Sequence, residues 1–446
     1  VYESVIGGTT NIFVHDKVSG NLTTVAAGNG HSSNPAISGN GRYVVFASEA
    51  TNLVPGDTNL FSDVFWRDLV TNEIRRLSIS PDGGQATGGS FNPDISQDGQ
   101  YVVFESQAGN LVANDTNFAS DVFLYKIQDS SIVRLSENSA SIPEGGNLNS
   151  FAPAISADGK RIVFASFATN LVDENGDFDF SNDDTNEASD VFLNIVADVN
   201  ASNIGLYRIS RTYSYQEANG STAFPAISGD GTKVAFHSQA PNVASGVGIV
   251  SFSITDPGWG YTIAPTVTVT DATGSGVTAT TSINANGELD SITLGQPGSN
   301  YQSPTVTIVA DPTDVGPTVS AKATADLSHP SGDVYRVDLN LLIPSLNNAS
   351  GDFSGGIVRV SEAPGKVGGN DFSTEPSLNM EGNLVAFRSR ASNLLPSSLT
   401  RSDGTVFFNT VTQQAAASAT LGGSLTEIEI QNRGSGYIAG FFTIVD

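Results

Sequence analysis

The sequence predicts an all-β fold: a six-bladed β-propeller with an incomplete first blade, an inserted small β-domain and a C-terminal β-repeat. Three observations lead there. A hairpin motif recurs along the chain, β-branched and aromatic runs alternate with Gly and Asx turns, and no helix-period stretch of convincing length appears. The 446 residues include 46 glycines and 19 prolines, a turn-rich composition.

The motif repeats with little drift. Residues 34–48 read NPAISGNGRYVVFAS, 92–106 NPDISQDGQYVVFES, 152–166 APAISADGKRIVFAS, 224–238 FPAISGDGTKVAFHS, and 375–389 EPSLNMEGNLVAFRS. Pro35, Pro93, Pro153, Pro225 and Pro376 stand 58, 60, 72 and 151 residues apart, and Phe46, Phe104, Phe164, Phe236 and Phe387 repeat those spacings. Two anchors in step define a structural repeat. In the first full copy strands are expected at 34–38, 42–48, 63–68 and 74–79. Between the first two strands, Asn40-Gly41, Asp98-Gly99, Asp158-Gly159 and Asp230-Gly231 suit a tight hairpin with positive φ. Four antiparallel strands per repeat indicate propeller blades. Residues 1–4 align with the end of a second strand, 9–16 with a third and 22–27 with a fourth, so the first blade lacks its inner strand. Its open edge is expected to be covered by the tail, by residues ahead of Val1 or by another subunit.

The unit PxISxDGxxVxF followed by SDVFxxD resembles the TolB-like, WD-like β-propeller repeat of bacterial secreted and periplasmic proteins. That resemblance implies the fold; it carries no enzyme-defining residue set. The fifth blade is interrupted between KVAFHS (233–238) and GDVYRVD (332–338) by a Thr-, Val- and Gly-rich segment with few charges. Here GWGYTIAPTVTV (258–269) matches GSNYQSPTVTI (298–308), with Tyr261 and Tyr301 40 residues apart, and GSGYIAGFFTI (434–444) supplies a third copy. These stretches resemble the Gly-Tyr/Pro-Thr β-repeats of bacterial surface and phage fibre proteins. The expected division is 1–244 for blades one to five (first part), 245–328 for the insert, 329–414 for the end of blade five and blade six, and 415–446 for an incomplete repeat. The natural protein is expected to continue beyond Asp446 and to start before Val1, since the only methionine is Met380.

Charge narrows the partners. With 20 Lys+Arg against 46 Asp+Glu the formal charge is −26, which repels nucleic acid and anionic membrane surfaces. No apolar run reaches the roughly 20 residues of a bilayer span. The absence of cysteine removes disulfides, thiolate metal sites and Cys nucleophiles.

Chemistry concentrates in acidic loops. In DENGDFDFSNDD (173–184), Asp173, Asn175, Asp177 and Asp179 alternate and Asp184 closes the loop at its twelfth position. Hard oxygen ligands at this spacing suit Ca²⁺. Gly176 and Phe178 depart from the usual pattern, as does Asp in place of a bidentate Glu. The D-T-N-x-x-S-D loops give a second candidate set: Asp57, Asn59 and Asp63; Asp115, Asn117 and Asp121; Asp184, Asn186 and Asp190. Asx turns that merely shape the loops are the competing reading. His237, Glu105 and Arg388 occupy related inner positions, where a polar channel lining is expected over acid–base chemistry. The fourth-strand arginines Arg76, Arg134 and Arg359 are expected to bridge blades or cover apolar surface. Trp259 and Tyr261 offer stacking faces for a sugar ring, with core packing the competing fate.

The sequence thus points to a non-catalytic, secreted or cell-surface structural or binding module of a filament, matrix or adhesin. Insert and tail would mediate self-association or contact a protein partner, carbohydrate remaining open. The alternatives are a periplasmic transport accessory that binds a partner peptide, and a propeller hydrolase or lyase acting on polysaccharide.

Overall fold

The structure, a computed structural model, describes residues 1–138, 143–173, 184, 186–196, 205–211, 217–240, 242–243, 248–249, 251–272, 274–299, 301, 303–314, 319–327, 332–346, 356–363, 367–369, 371–391, 394, 398–400 and 406–408. Asn175, Asp177, Asp179, His329 and the tail repeat 415–446 lie outside these residues.

The chain is all-β, with repeated four-stranded antiparallel sheets consistent with propeller blades. It opens with β1 (Tyr2–Ile6), β2 (Thr9–His15) and β3 (Leu22–Ala26), a three-stranded sheet. Next come β4 (Ser32–Ile37), β5 (Tyr43–Ser48), β6 (Asp63–Asp68) and β7 (Ile74–Arg76), then β8 (Ser90–Ile95), β9 (Tyr101–Ser106), β10 (Asp121–Lys126) and β11 (Ser131–Arg134). A third full sheet holds β12 (Ser150–Ile155), β13 (Arg161–Ser166), β14 (Asp190–Ile195) and β15 (Gly205–Arg208). The fourth begins with β16 (Thr222–Ile227) and β17 (Lys233–Ser238).

The chain then leaves to form the insert: β18 (Ser251–Asp256), β19 (Thr266–Thr270), β20 (Ser275–Ile283), β21 (Leu289–Ser299), β22 (Thr305–Val309) and β23 (Lys322–Asp326). It returns as β24 (Asp333–Asp338), which pairs with β17 from Lys233↔Asp338 to Ser238↔Asp333 without a break. A helix α1 (Leu339–Leu346), which periodicity had not indicated, sits between β24 and β25 (Ile357–Arg359). The small pair β26 (Glu362–Ala363) and β27 (Val367–Gly368) leads to β28 (Ser373–Leu378) and β29 (Val385–Ser389), the inner hairpin of the last copy; β30 (Ser398–Thr400) and β31 (Val406–Phe408) form a separate hairpin.

Each sheet is built on the motif's anchors. The second-strand aromatic stacks on its cross-strand partner: Phe46 on Phe65 at 5.6 Å, Phe104 on Phe123 at 5.9 Å and Phe164 on Phe192 at 5.7 Å. These rings are fully buried. First and second strands are closed by paired hydroxyls 2.8 Å apart, Ser32–Ser48, Ser90–Ser106, Ser150–Ser166 and Ser373–Ser389.

The hairpin between the first two strands has a four-residue loop, 39–42 in the first copy. Gly41 donates to the Ser38 carbonyl and Ser38 to that of Tyr43, a turn whose fourth residue is the glycine at φ 70°. Only the glycine is left-handed, so the Asn or Asp before it serves through its side chain: Ser38, Ser96, Ser156 and Ser228 each donate to it at 2.6–2.7 Å.

Two rows of main-chain bonds join neighbouring sheets. At the turns, Gly39 donates to Gln97 (3.0 Å), Gln97 to Ala157 (3.0 Å), Ala157 to Gly229 (2.8 Å) and Asp230 to Met380 (2.8 Å). At the opposite end of the inner strands, Ser90 donates to Ser62, Ser150 to Ser120 and Thr222 to Ser189, all at 2.7 Å. Among the described residues β1 pairs only with β2.

The turn glycines separate two contributions. Nothing lies within 4 Å of a methyl placed on Gly41, so Gly41→Ala is expected to cost about 1–2 kcal/mol, the penalty of a left-handed non-glycine residue. Gly99, at φ 75°, packs under the Tyr43 ring of the preceding sheet, so Gly99→Ala is expected to cost more. Denaturant unfolding of the two variants measures the difference, and equal losses would mean that the turns do not grip one another.

Candidate functional site

The loop between the second and third strands carries the D-x-N-x-x-x-D residues, and each described copy is wired the same way. Asn59 accepts from the Phe61 amide (3.1 Å), Asn117 from that of Ala119 (3.0 Å) and Asn186 from that of Ala188 (2.5 Å). The same asparagines donate to the connector entering the next sheet, at the carbonyls of Ala86 (3.2 Å), Gly146 (2.7 Å) and Ala218 (2.6 Å). They shape the loop and fasten it sideways.

The aspartates face inward onto an arginine at the end of the fourth strand. Arg76 Nη1 lies 3.1 Å from Asp57 and 3.3 Å from Asp63. Arg134 Nη1 lies 3.5 Å from Asp115 and 3.7 Å from Asp121, with its Nε 3.5 Å from Glu137. Arg208 lies 3.3 Å from Asp190 and bonds Glu217. Arg359 lies 3.6 Å from Asp333 and 3.4 Å from Glu362. The guanidinium groups of Arg134, Arg208 and Arg359 are buried and that of Arg76 is half-buried; all four turn toward the aspartates of their own sheet, so the expectation that Arg76, Arg134 and Arg359 bridge blades or cover apolar surface is corrected. Two residues on from each arginine, Ser78, Ser136, Ser210 and Ser361 donate to the third-strand aspartates at 2.5–2.7 Å. Arg208 and these serines were missed, although the pattern R-[LIV]-S was there to be read at 76–78, 134–136, 208–210 and 359–361. A cation at the 57–63 or 115–121 loop would have to share its carboxylates with the guanidinium.

Charge is unbalanced in a graded way. Arg76 faces two carboxylates, with the neutral Gln85 at 3.2 Å. Arg208 faces Asp190 and Glu217, and Asp184, Asp190 and Glu217 bring one ligand oxygen each within 4.8 Å of one another. Asp184 also accepts from the amides of Asn186 and Glu187 at 3.2 Å. Burial raises Asp63 above the usual carboxylate range, lifts Asp121 to about 6 and lifts Asp190 to about 7. The arginines oppose the shift; Asp115 near Asp121, and Glu217 and Asp184 near Asp190, add to it. This sheet's cluster can hold a proton or a cation.

The other candidates are engaged locally. Glu105 accepts from the Ala152 amide at 2.6 Å, and Arg388 lies 3.5 Å from Glu375. Burial lowers His237 to about 4, so it is neutral at physiological pH, with Phe224 edge-on at 6.3 Å. His15 is exposed, and His31 lies 3.2 Å from Thr10. In the insert Tyr261 is buried and donates no stacking face, whereas Trp259 is half exposed.

No protein-family profile matches this sequence, and no curated protein resembles it significantly. Among solved structures it is distantly similar to a putative TolB from Agrobacterium tumefaciens, with a TM-score of 0.38 and 13% identity over 87% of this chain and 84% of that one. TolB from Acinetobacter baumannii gives a TM-score of 0.31 and 12% identity over 67% of this chain and 62% of that one. A structure from a study of two prolyl endopeptidases gives 0.32 and 9% over 83% of this chain. The chain spans 62% of the Acinetobacter protein's length and 40% of the endopeptidase's.

The raised aspartates make stability depend on pH. Each binds its proton more tightly folded than unfolded, so its contribution is full below the unfolded value near 3.8 and is lost as pH rises through about 6 for Asp121 and about 7 for Asp190. His237, lowered from 6.5 to about 4, works in the opposite direction as pH falls, but it is one group against several carboxylates. The melting temperature is expected to rise from pH 7.5 to pH 5.5, and Asp190→Asn to flatten that rise. Scanning calorimetry across the range checks both; an unchanged slope in the variant would show that Asp190 ionises normally.

Proposed function

We propose that the chain is a non-catalytic, six-bladed propeller, its first blade short of an inner strand, that acts as a structural or binding module of a secreted or cell-surface assembly. The insert is its main contact element. One observation carries this reading: the insert presents Trp259, Ile263, Val309 and Val319 to solvent from a Thr- and Val-rich β-module. That module belongs to a chain of net charge −26, a charge that otherwise keeps copies apart. Trp259 and Val319 are neighbours, joined by a main-chain bond of 3.0 Å, and aromatic residues in such patches dominate contact energies.

The insert's inner half supports the same division of labour. Ile249, Tyr301 and Leu327 share one hydrophobic cluster with Val234, Phe236 and Tyr335 of the fourth full sheet. Excising 245–328 would therefore strip propeller core, so surface variants are the better test. Trp259→Ser with Val319→Ser is expected to leave the fold intact and to reduce multimers in light scattering. If the doubly substituted protein assembles like the parent, the insert is not the contact element.

In this reading Ca²⁺ is held by the 173–184 loop, with Asp184 bordering the cluster that has carboxylate charge to spare. Metal analysis of protein purified without chelator is expected to find Ca²⁺, and EDTA to lower the melting temperature. If neither holds, the loop is a solvated acidic loop.

A further inference from the structure

A second group of exposed apolar residues lies outside the insert. Phe118 is fully exposed at 101% and adopts φ 57°, a left-handed conformation that a bulky residue adopts only under constraint. Its neighbourhood is fixed by Asn149: Ser120 donates to the Asn149 side chain at 2.8 Å, and Phe167 to its carbonyl at 2.9 Å. Leu148, next to Asn149, is 50% exposed and Phe167 is 40% exposed, stacked on Phe151 at 5.6 Å. Phe118, Leu148 and Phe167 thus lie around Asn149 at the junction of the second and third full sheets.

Comparison of the repeats shows that this grouping is particular to one place. Where Phe167 stands, the other copies have Glu49, Gln107, Gln239 and Arg390; where Leu148 stands, they have Gly30, Gly88, Gly220 and Asp371; where Phe118 stands, the next copy has Glu187. Only Leu60, in the preceding copy, is likewise apolar, left-handed and exposed. None of these apolar substitutions is required by the repeat.

The surroundings select the partner. The loop segments at this end of the two sheets, 105–121, 143–151, 166–173 and 184–190, contain neither Lys nor Arg; Asp115, Asp121, Asp184 and Asp190 turn in toward Arg134 and Arg208, which leaves the exposed Glu144 and Glu187 and the half-buried Asp173 beside the apolar residues. Apolar anchors in an acidic field fit a cationic, apolar segment. We propose that Phe118, Leu148 and Phe167 form a docking surface for a partner protein's segment in which aromatic or aliphatic anchors are flanked by lysine or arginine.

The probe is a synthetic peptide with a Phe-Leu-Phe centre and two lysines on either side, followed by fluorescence anisotropy against the whole chain. The expected result is binding that weakens in 0.5 M salt and falls at least about tenfold in the variant Phe118→Ser with Phe167→Gln. A peptide with glutamates in place of the lysines should not bind. Phe118→Gly alone relieves the left-handed strain, so it is expected to raise the melting temperature while weakening the peptide; both changes together separate docking from folding. Unchanged affinity in the double variant would overturn the proposal, as would equal binding of the acidic peptide. Preferential binding to neutral phosphatidylcholine vesicles would overturn it too, assigning the patch to a lipid surface.

Discussion

The buried Asp–Arg–Ser unit at the end of the third and fourth strands is the interaction on which the rest of each sheet depends. Asp63, Asp121, Asp190 and Asp333 are each almost wholly buried, and each meets an arginine and a serine from the neighbouring strand. The serine also receives the amide of the residue after the aspartate, at 3.0–3.1 Å in all four sheets. An isolated buried carboxylate is costly, and so is an isolated guanidinium; brought together, with a serine hydroxyl donating to the carboxylate, they are tolerated. Removing one partner of such a pair costs on the order of 3–5 kcal/mol, so the chain must bring loop, third strand and fourth strand to one point at once. That requirement fixes the loop's course and places its asparagine against the next connector, which turns a local lock into a link between sheets.

The inner strands show a second constraint. In every copy the residue before the anchor proline is left-handed: Asn34 at φ 52°, Asn92 at 49°, Ala152 at 52°, Phe224 at 53° and Glu375 at 52°. The register against the second strand slips at the same place, a bulge whose proline has no N–H to leave unpaired. Two of the displaced amides are received by carboxylates of the preceding sheet, Asn34 by Glu3 at 2.7 Å and Ala152 by Glu105 at 2.6 Å. The alternation of Glu3, Ala47, Glu105 and Ala165 along the repeat therefore records which blades supply their neighbour with an acceptor.

Much of this was legible because the repeat exposes it. Anchor spacing placed β5 and β6 nearly to the residue, since buried phenylalanines and turn glycines are local signals. The arginines were misread because their aspartate partners lie far back in the chain, 13 and 19 residues for Arg76 and 26 for Arg359, and a charged residue at a strand end looks the same whether it snorkels outward or folds inward. Asn-Gly and Asp-Gly signalled positive φ in the hairpins without saying at how many positions, and only the glycine adopts it. The helix α1 escaped because eight residues barely exceed two turns. In the insert the repeat was visible, but its consequence was not. Copies of one motif pair reciprocally, β18 with β23 and β20 with β21, while β19 meets β22 at Thr268↔Thr307, equivalent residues of the two copies. Tyr261 accepts from Ala321 (2.8 Å) and Tyr301 from Val277 (3.2 Å), so each copy's tyrosine closes the other.

The insert also explains how a sheet survives interruption at the very loop that its lock requires. In the three preceding sheets the first loop aspartate, Asp57, Asp115 or Asp184, is part of the arginine's surroundings. In the fourth that loop is the insert itself, and Arg359 donates instead to the Leu327 carbonyl at 3.0 Å, just after β23. A main-chain oxygen thus takes the place of a carboxylate, and Leu327 is buried in the shared cluster beside it. The exchange keeps the guanidinium supplied with an acceptor while lowering the negative charge around it, which agrees with Asp333 and Glu362 being its only carboxylate partners among the described ion pairs. The insert is therefore not appended to a finished blade. Leu327, just past β23, completes the lock through its carbonyl, so the module with exposed apolar residues is fastened by main chain and by core to the very sheet it interrupts.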